Sequence, residues 1–522
     1  MRLDELTADG IPGLRIVSPT AGSLEIGALA YDSRRVEPGA LFFCVSGLQA
    51  DGHEFAESAV AAGAVALVVE RPLGLGVPEL LVPSSRAAMA PIAARFYGEP
   101  SNELRVIGVT GTNGKTTTAH LVRALLEADG ERCGLLGTVE SVVAGERRPT
   151  DRSSTGAPIG QRTTPEAIDL QADFRAMLDG GERWCAMEVS SHALALGRTV
   201  CVRFAAAIFT NLTQDHLDFH DTMEDYFQAK RLLFAPAADG TRQGRDASPE
   251  SSEGTSAVAG AVTVVNLDDP YGRRLADELE DVVTFAIDTD ADYRAREVQI
   301  DLDGSRFELD SPAGTHALSI PAPGRFNVSN GLAALAATHT LGGDLDTLIA
   351  ALQRGVRVPG RVESVEAGQG FSVLVDYAHT PDSLRNVLST AHEVGRGRVI
   401  CVFGAGGDRD RGKRPLMGEI GAHLADVLLV TSDNPRSEDP QTIIAEIMAG
   451  VERASRPPGA PPVAAEVDRR AAIERAVALA EPGDVLVIAG KGHEQGQELA
   501  GGVKIPFDDV TVAREALGAR VG

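Results

Sequence analysis

The sequence predicts an α/β protein of about three domains, and three observations carry that expectation. The chain has 522 residues, too many for one core at about 150 residues per domain. Short apolar runs end again and again in glycine-rich or charged loops and are followed by helical periodicity, the pattern of a largely parallel sheet with its ligand edge at the strand ends. One such run, Val106-Ile-Gly-Val-Thr-Gly-Thr-Asn-Gly-Lys-Thr-Thr-Thr118, has the form of a phosphate cradle.

In that stretch Val106, Ile107 and Val109 read as a buried strand, Gly111 and Gly114 as a loop, and Lys115 and Thr116 as the start of a helix. Leu121, Val122, Leu125 and Leu126 repeat at helical spacing, and Asp129-Gly130 supplies the stop. Backbone N–H groups and the helix dipole would face an anion, Lys115 would add a charge, and the Thr116 hydroxyl would hold Mg²⁺. The strict P-loop asks for a glycine where Val109 stands, so the motif is the shorter Gly-x-x-Gly-Lys-Thr. Its alternative is a glycine-rich strand-to-helix turn that binds nothing.

Composition narrows the class. Hydrophobic content of 43 % and charged content of 24 % are ordinary for a soluble globular protein. A net charge of −25 repels polyanions and argues against nucleic acid as the main partner, while a local basic pocket still admits phosphorylated small substrates. Cys44, Cys133, Cys185, Cys201 and Cys401 stand singly, which points away from a disulfide framework or zinc site and towards a reducing cytoplasm. The N-terminus has no apolar h-region, and the longest apolar run, Ala59 to Val69, falls well short of a membrane span.

Taken in order, residues 1–103 read as a first α/β unit. It has a loop Asp32 to Gly39, a strand Ala40 to Val45, a loop Ser46 to His53, a helix Glu54 to Ala62 and a strand Ala64 to Val69. No catalytic constellation lies there, and the loops read as connectors.

The second unit, 104–356, holds four polar clusters besides the cradle. Arg162-Thr-Thr-Pro165 is a polar turn. Glu188 ends a strand that runs into Val-Ser-Ser-His192, where a Mg²⁺-holding acid is needed one strand from a P-loop; the alternative is a carboxylate facing water. Asn211 to His220, followed by a helix through Tyr226 to Lys230, looks like a metal or phosphoryl-transfer site. Ser-His-Asp hydrolysis competes with that reading, but no Gly-x-Ser-x-Gly elbow accompanies it. Residues 236–260 are rich in Ser, Gly, Asp and Glu and read as a flexible surface insertion. A strand Val262 to Asn266 and a turn Asp268 to Gly272 follow, and in the fourth cluster, Pro323 to Asn330, Asn330 would cap a helix or touch a ligand.

The third unit, 357–522, has strands ending at Asp376, Phe403, Val430 and Ile488. The loop Gly404-Ala-Gly-Gly-Asp-Arg409 departs from the dinucleotide fingerprint, and Asp433-Asn-Pro-Arg436 and Gly490-Lys-Gly-His-Glu494 complete the charged edge.

Side by side, these motifs resemble the Mur ligases of peptidoglycan synthesis, over nearly the whole chain and in family order. Thr110 to Thr117, Glu188 to His192, Asn211 to His220 with Lys230, and Asp376-Tyr-Ala-His379 carry the match. The resemblance implies a three-domain architecture: an N-terminal UDP-sugar domain, a central P-loop ATPase domain and a C-terminal Rossmann-like domain that binds an amino acid. It further implies that Ser33, Gln49 and Ala50 touch the uridine end of a UDP-N-acetylmuramoyl dipeptide, and that Thr163, Thr164, Ser190 and Arg198 hold its dipeptide. ATP would meet Gly111, Thr112, Asn113, Gly114, Lys115, Thr116 and Thr117, with Asn266, Asn330, Arg361 and Asp376 from outside the loop. Arg409, Asp433, Asn434, Pro435, Arg436, Gly490 and Glu494 would form the amino-acid pocket. Asp433 to Arg436 resembles the motif of members that add meso-2,6-diaminopimelate; the alternatives are L-lysine and a folylpolyglutamate-synthase-like ligase.

The family's reaction activates the D-glutamate γ-carboxylate as an acyl phosphate, which an amine then attacks. Bringing phosphate to an anion requires cations. Lys115 and two Mg²⁺ would supply them, one ion at Thr116 and Glu188, the other at His216 and Lys230, with Lys230 carbamylated by CO₂. A cytoplasmic monomer without membrane span or nucleic-acid partner is expected. A non-catalytic nucleotide-binding module would not need Glu188, His216 and Lys230 together.

Overall fold

Three large sheets form on successive stretches of the chain, and a two-stranded ribbon, Gly496–Glu498 with Lys504–Pro506, accompanies them among the described residues. The computed structural model describes residues 1–8, 11, 13–16, 23–47, 50–148, 162–234, 261–454 and 463–521. Gln49 and the segment 236–260 lie outside the described residues.

The first sheet runs Arg15–Ile16, Glu79–Leu81, Ala64–Val69, Ala40–Phe43, Ala28–Ala30 and is parallel except for its first pair. Its central strands are apolar because helices cover both faces. The expected single helix from Glu54 to Ala62 is instead a 3₁₀ turn, Gly52–Phe55, leading into an α-helix, Ala56–Ala61. The Asp51 carboxylate accepts from the His53 amide (3.0 Å) and caps that tighter first turn.

The second sheet has eleven strands among the described residues. The cradle strand Arg105–Thr110 lies between Phe204–Phe209 and Trp184–Glu188, parallel to both, and Glu188 sits opposite Val109. Ile107 and Val109 face one core with Val122, Leu125 and Leu335, whereas Val106 faces the other with Phe174 and Met187. Burial on both sides explains why this strand reads as an unbroken apolar run. Three further strands, Tyr293–Asp301, Gly304–Ser311 and Gly314–Ile320, add an antiparallel edge. The stretch Asp268 to Gly272, expected as a turn, opens the helix Pro270–Glu278. Asp269 caps it, accepting from the Tyr271 and Gly272 amides, with Pro270 in the first turn.

The third sheet runs Glu363–Ser364, Ser372–Asp376, Val485–Ala489, Val399–Phe403, Val427–Thr431, Ala464–Glu466, parallel from its second strand onward. Asp376 pairs with Ala489, so the two strand ends finish level at the ligand edge. Among the described residues, no helix is long and apolar enough to cross a membrane.

The helix Ala167–Asp179 ties the first sheet to the second. Asp169 accepts from Arg35 (2.9 Å) and from the Tyr31 hydroxyl (2.5 Å), both on the first unit. One turn on, Asp173 is buried with Arg148 at 3.8 Å. Burial, with Asp169 beside it, pushes the Asp173 carboxyl up to about 7. The folded state therefore holds a proton that the unfolded chain releases at ordinary carboxylate pH, and the associated stability is lost as pH rises to about 7. Asp173→Asn should leave stability nearly unchanged near pH 4 and raise it by up to ~4 kcal/mol at pH 8. Thermal unfolding against pH reads this directly, and a pH-independent difference between the two proteins would reject it.

Candidate active site

The cradle loop follows from its glycines. Gly111 has φ +150° and Gly114 φ +86°. A Cβ on Gly111 would lie 1.9 Å from Thr210 Oγ1, and one on Gly114 2.4 Å from Asn330 Oδ1. The next strand's exit pins the loop from outside. Thr210 Oγ1 donates to the Asn113 carbonyl (2.6 Å), and Asn211 accepts from the Asn113 amide (2.8 Å) and donates to its carbonyl (3.1 Å). Thr112 Oγ1 accepts from the Thr213 amide and sits 3.2 Å from the Tyr226 hydroxyl. Lys115 opens the helix Lys115–Ala128, with Thr116 buried and Thr117 half-buried beside it. The Thr112 and Asn113 amides are thus taken up by Asn211, and the first-turn amides of the helix remain in a geometry that can accept an anion. Gly114→Ala should weaken ATP binding at least ~10-fold, because both its Cβ and its positive φ oppose the loop. Calorimetric titration with a non-hydrolysable ATP analogue measures this, and wild-type affinity would reject it.

Glu188 is 1 % exposed and fully engaged. It accepts from Thr116 Oγ1 (3.0 Å), the Thr138 amide (2.7 Å) and Thr138 Oγ1 (3.1 Å), which offsets the cost of burying it. Two lysines meet on the other side of the loop. Lys115 Nζ donates to the carbonyls of Gly111 (2.9 Å) and Thr112 (2.8 Å). Lys230, 1 % exposed, donates to the same Gly111 carbonyl (2.8 Å) and lies 4.6 Å from the Tyr226 ring centroid. Burial lowers both amines, and the Lys115 charge presses Lys230 further, well below the ordinary lysine value.

His216 adopts a left-handed φ of +56° and places Nε2 3.3 Å from Asp215 Oδ2. Burial lowers its imidazole to about 3, against the opposing pull of Asp215. Burial alone would raise Asp215, but Lys413, His216 and His379 hold its carboxylate well below the usual range. Lys413 Nζ is 3.2 Å from Asp215, and Lys413 opens the helix Lys413–Leu424 that follows the third sheet's glycine loop. Two more bonds cross the same seam: Arg361 Nη2 donates to Thr116 Oγ1 (3.0 Å), and Asn113 Nδ2 donates to Asp382 (2.8 Å).

The residues expected around a nucleotide divide in two. Arg361 reaches the cradle directly. Asp376 is buried and accepts from the Val362 amide (2.8 Å), and burial raises its carboxyl. Asn266 instead braces two strand ends, donating to the Thr210 carbonyl (2.8 Å) and accepting from the Asp268 amide (2.9 Å). Asn330 does not cap its helix, which starts at Arg325; it lies in the second turn, packs on Gly114 and accepts from Thr118 Oγ1 (3.3 Å).

Thr163, Thr164, Ser190 and Arg198 come together beside Glu188. Thr163 Oγ1 lies 3.0 Å from Thr138 Oγ1, Thr164 Oγ1 donates to the Glu188 carbonyl (2.9 Å), the Ser190 amide donates to Thr164 Oγ1 (3.0 Å), and Arg198 Nη1 donates to the Thr164 carbonyl (3.1 Å). Ser33 begins a 3₁₀ turn capped by Asp32, and Ala50 is exposed.

In the third unit, Asn434 accepts from Lys491 Nζ (2.9 Å) and from the Glu498 amide (2.9 Å), and donates to Glu494 (2.6 Å). Asp433 lies against Gly490, whose Cβ would come within 2.5 Å of its carboxylate; burial would raise it, but Lys491 and Arg469 lower it. Pro435 packs so closely on Gly407 that a Cβ there would lie 1.9 Å from its carbonyl oxygen. Arg436, at φ +52°, donates through Nε to Glu498 (2.9 Å) and through Nη1 to the Gly407 carbonyl (2.7 Å). Arg409 is exposed, its Nη1 donating to the Asp408 carbonyl (2.9 Å).

Thr116 and Glu188 offer buried oxygen donors that suit a hard divalent cation. His216 and Lys230 offer nitrogen, and an amine suits such a cation only once it is converted to an oxygen ligand. No group of three or more His, Cys, Asp or Glu among the described residues forms a metal site by itself, so phosphate oxygens would have to complete the coordination. Sequence reasoning missed Thr138, Asp382 and the pairing of Lys413 with Asp215.

Family models match in three blocks: Mur ligase family, catalytic domain (residues 25–97), Mur ligase middle domain (109–338), and Mur ligase, glutamate ligase domain (360–492). The chain belongs to the Mur ligase family, and so to the ATP-dependent ligases. A relative from Syntrophomonas wolfei is 44 % identical over 504 residues, covering 95 % of this chain and 96 % of its own, and one from Geobacillus thermodenitrificans is 45 % identical with 96 % of each covered. Both are named UDP-N-acetylmuramoyl-L-alanyl-D-glutamate–2,6-diaminopimelate ligase. A solved structure of the same name matches with a TM-score of 0.65 at 32 % identity, over 100 % of this chain and 99 % of that one. Mycobacterium tuberculosis folylpolyglutamate synthase, at 19 % identity and a TM-score of 0.57 over 83 % of this chain and 94 % of its own, shares the fold.

Proposed function

We propose that this chain joins meso-2,6-diaminopimelate to the D-glutamate γ-carboxylate of UDP-N-acetylmuramoyl-L-alanyl-D-glutamate, consuming ATP, in peptidoglycan precursor synthesis. The observation that carries this reading is the seam itself. A phosphate cradle with a buried acid and two lysines meets the unit bearing the Asp433–Arg436 pocket through Arg361–Thr116, Asn113–Asp382 and Lys413–Asp215. The relatives' names support the choice of substrates.

In this reading the chain divides at 103/104 and 356/357 into UDP-sugar, ATPase and amino-acid domains, and works as a cytoplasmic monomer. The cradle amides and Lys115 hold the ATP phosphates, with Arg361 beside them. Thr163, Thr164, Ser190 and Arg198 aim the γ-carboxylate at the γ-phosphorus. A carboxylate oxygen attacks phosphorus and ADP leaves, giving the acyl phosphate. The diaminopimelate amine attacks the acyl carbon, sheds a proton, and phosphate departs with the electrons of the broken C–O bond. Mg²⁺ at Thr116 and Glu188, and a second ion at His216 and a carbamylated Lys230, would offset the charge of bringing phosphate to carboxylate. Arg436 reads the distal carboxylate that distinguishes diaminopimelate from lysine.

The test is phosphate release with ATP and the UDP-sugar dipeptide, plus either diaminopimelate or lysine. Sustained release should require diaminopimelate, and lysine should be a poor substitute. Release that needs no amino acid would defeat the ligase reading.

A further inference from the structure

The third unit buries one ion pair completely. Arg469 opens the helix Arg469–Leu479, Asp509 opens the helix Asp509–Val521, and both side chains are 0 % exposed. Arg469 Nε donates to Asp509 Oδ1 (2.8 Å) and Nη2 to Oδ2 (2.6 Å), a two-pronged pairing. The same guanidinium also donates through Nη2 to the Ala489 carbonyl (3.0 Å) and through Nη1 to the Ser432 carbonyl (3.4 Å).

Those two carbonyls stand one residue before Gly490 and Asp433, where the two pocket segments begin. The strands that lead to them, Val485–Ala489 and Val427–Thr431, are not neighbours, because Val399–Phe403 lies between them. No ladder hydrogen bond fixes one segment against the other, and two strand spacings, about 9–10 Å, separate the strands. The chain closes this gap beyond the strand ends. A Cβ on Gly404, at the exit of the middle strand, would lie 2.4 Å from the Thr431 carbonyl oxygen, and one on Gly490 2.5 Å from Asp433 Oδ2. Arg469 ties the two sides together where they converge.

Stability alone gives no reason for the pair. Apolar side chains of similar volume often match or surpass a buried ion pair. A cation in the first turn of a helix also opposes the helix dipole, which Asp509 offsets. What apolar side chains cannot do is donate to carbonyls on two separate strands. Arg469 acts on Asp433 as well: burial would raise that carboxyl, but Lys491 and Arg469 hold it below its usual range. Lys491 in turn donates to Asn434 (2.9 Å) and Glu494 (2.8 Å), so the charges behind the pocket form one connected set. We propose that Arg469, clamped by Asp509, is a positioning residue for the amino-acid pocket: it fixes the Asp433–Arg436 segment against Gly490–Glu494 and so sets affinity for the incoming amino acid without touching it. This rests on the ligase reading above and extends it to the C-terminal helix, which none of the motifs contains.

The experiment is steady-state kinetics of the full-length enzyme with each substrate varied in turn. Arg469→Met alone leaves Asp509 buried without a cation, so it is paired with Arg469→Met/Asp509→Leu, which removes both charges at similar volume. Each should raise KM for diaminopimelate ~10-fold or more, with KM for ATP and for the UDP-sugar dipeptide changed less than ~2-fold. Arg469→Lys keeps the charge but cannot serve Asp509 and both carbonyls at once, so its KM should fall between wild type and Arg469→Met. Leu517→Ala, in the buried core under the same C-terminal helix, is the control for destabilisation alone. Its melting temperature should fall while its KM for diaminopimelate stays within ~2-fold of wild type. An unchanged KM for diaminopimelate in the double variant, equal rises for all three substrates, or an equal rise in Leu517→Ala would overturn the inference. If neither charge-removing variant folds, Arg469→Lys decides, and an unchanged KM there counts against it. A wild-type enzyme that releases phosphate without any amino acid would instead overturn the ligase reading and, with it, this inference.

Discussion

Lys230→Ala should lower kcat by roughly 100- to 1000-fold, and acetate or formate should restore part of the loss. The expectation follows from where the side chain lies. Lys230 is enclosed, its Nζ 2.8 Å from the Gly111 carbonyl, and Lys115 donates to the same oxygen from 2.9 Å. Two ammonium groups sharing one carbonyl in a buried site repel each other, which eases loss of a proton from the more buried one; burial and Lys115 hold Lys230 well below the ordinary lysine value. A neutral amine has the lone pair that adds to CO₂. The amine nitrogen bonds to the carbon and loses a proton, leaving a carbamate whose oxygens suit a divalent cation as the amine does not. A small carboxylate diffusing into the space left by Lys230→Ala would replace those oxygens, which is why rescue is the informative readout. Full activity in the variant would contradict the assignment, as would an unmodified Lys230 in crystals grown at saturating CO₂.

Arg436→Ala should raise KM for diaminopimelate ~30-fold or more, the equivalent of losing roughly 2–5 kcal/mol from a charge-assisted pair, while KM for ATP stays within ~2-fold. The guanidinium is pre-set. Its Nε is held by Glu498 and its Nη1 by the Gly407 carbonyl, and Nη2 has no hydrogen-bond partner among the described residues. The strained φ of +52° at a non-glycine residue helps aim it. Arg436→Lys should recover little, because an ammonium cannot keep both supports and still reach a carboxylate. The preference for diaminopimelate over lysine should shrink in both variants. Equal rises in KM for ATP and diaminopimelate would remove the specificity role.

What the sequence made legible was local. The cradle could be read because Val106, Ile107 and Val109 are apolar in a strand buried on both faces, and because Gly111 and Gly114 have no room for a Cβ. Glu188 could be placed because a strand end one position along a parallel sheet falls beside the cradle, and Thr116 does donate to it. Asp269-Pro270 was misread as part of a turn although an acidic cap followed by proline is a helix start. Asn330 reads as a cap from sequence because the alanine-rich run after it is more obviously helical than Arg325 to Ser329 before it. The antiparallel edge from Tyr293 to Ile320 leaves no clean alternation in the sequence, because a register shift between Arg296 and Gln299 breaks it.

The seam between the second and third sheets was illegible for a different reason. Lys413 and Asp215 are 198 residues apart, Arg361 and Thr116 245, Asn113 and Asp382 269. No period or spacing rule joins such pairs. Each looks from the sequence like one more polar residue in a loop. Only the packed domains show that Asp215 neutralises a buried lysine and that Arg361 reaches the hydroxyl beside Glu188.

The central claim is that the γ-carboxylate is activated as an acyl phosphate. Labelling that carboxylate of the UDP-sugar dipeptide with ¹⁸O and analysing the inorganic phosphate after ligation tests it most directly. An acyl phosphate requires one carboxylate oxygen to leave with phosphorus, so each phosphate released should carry a single ¹⁸O. Unlabelled phosphate, formed at the same rate as the amide, would contradict the account.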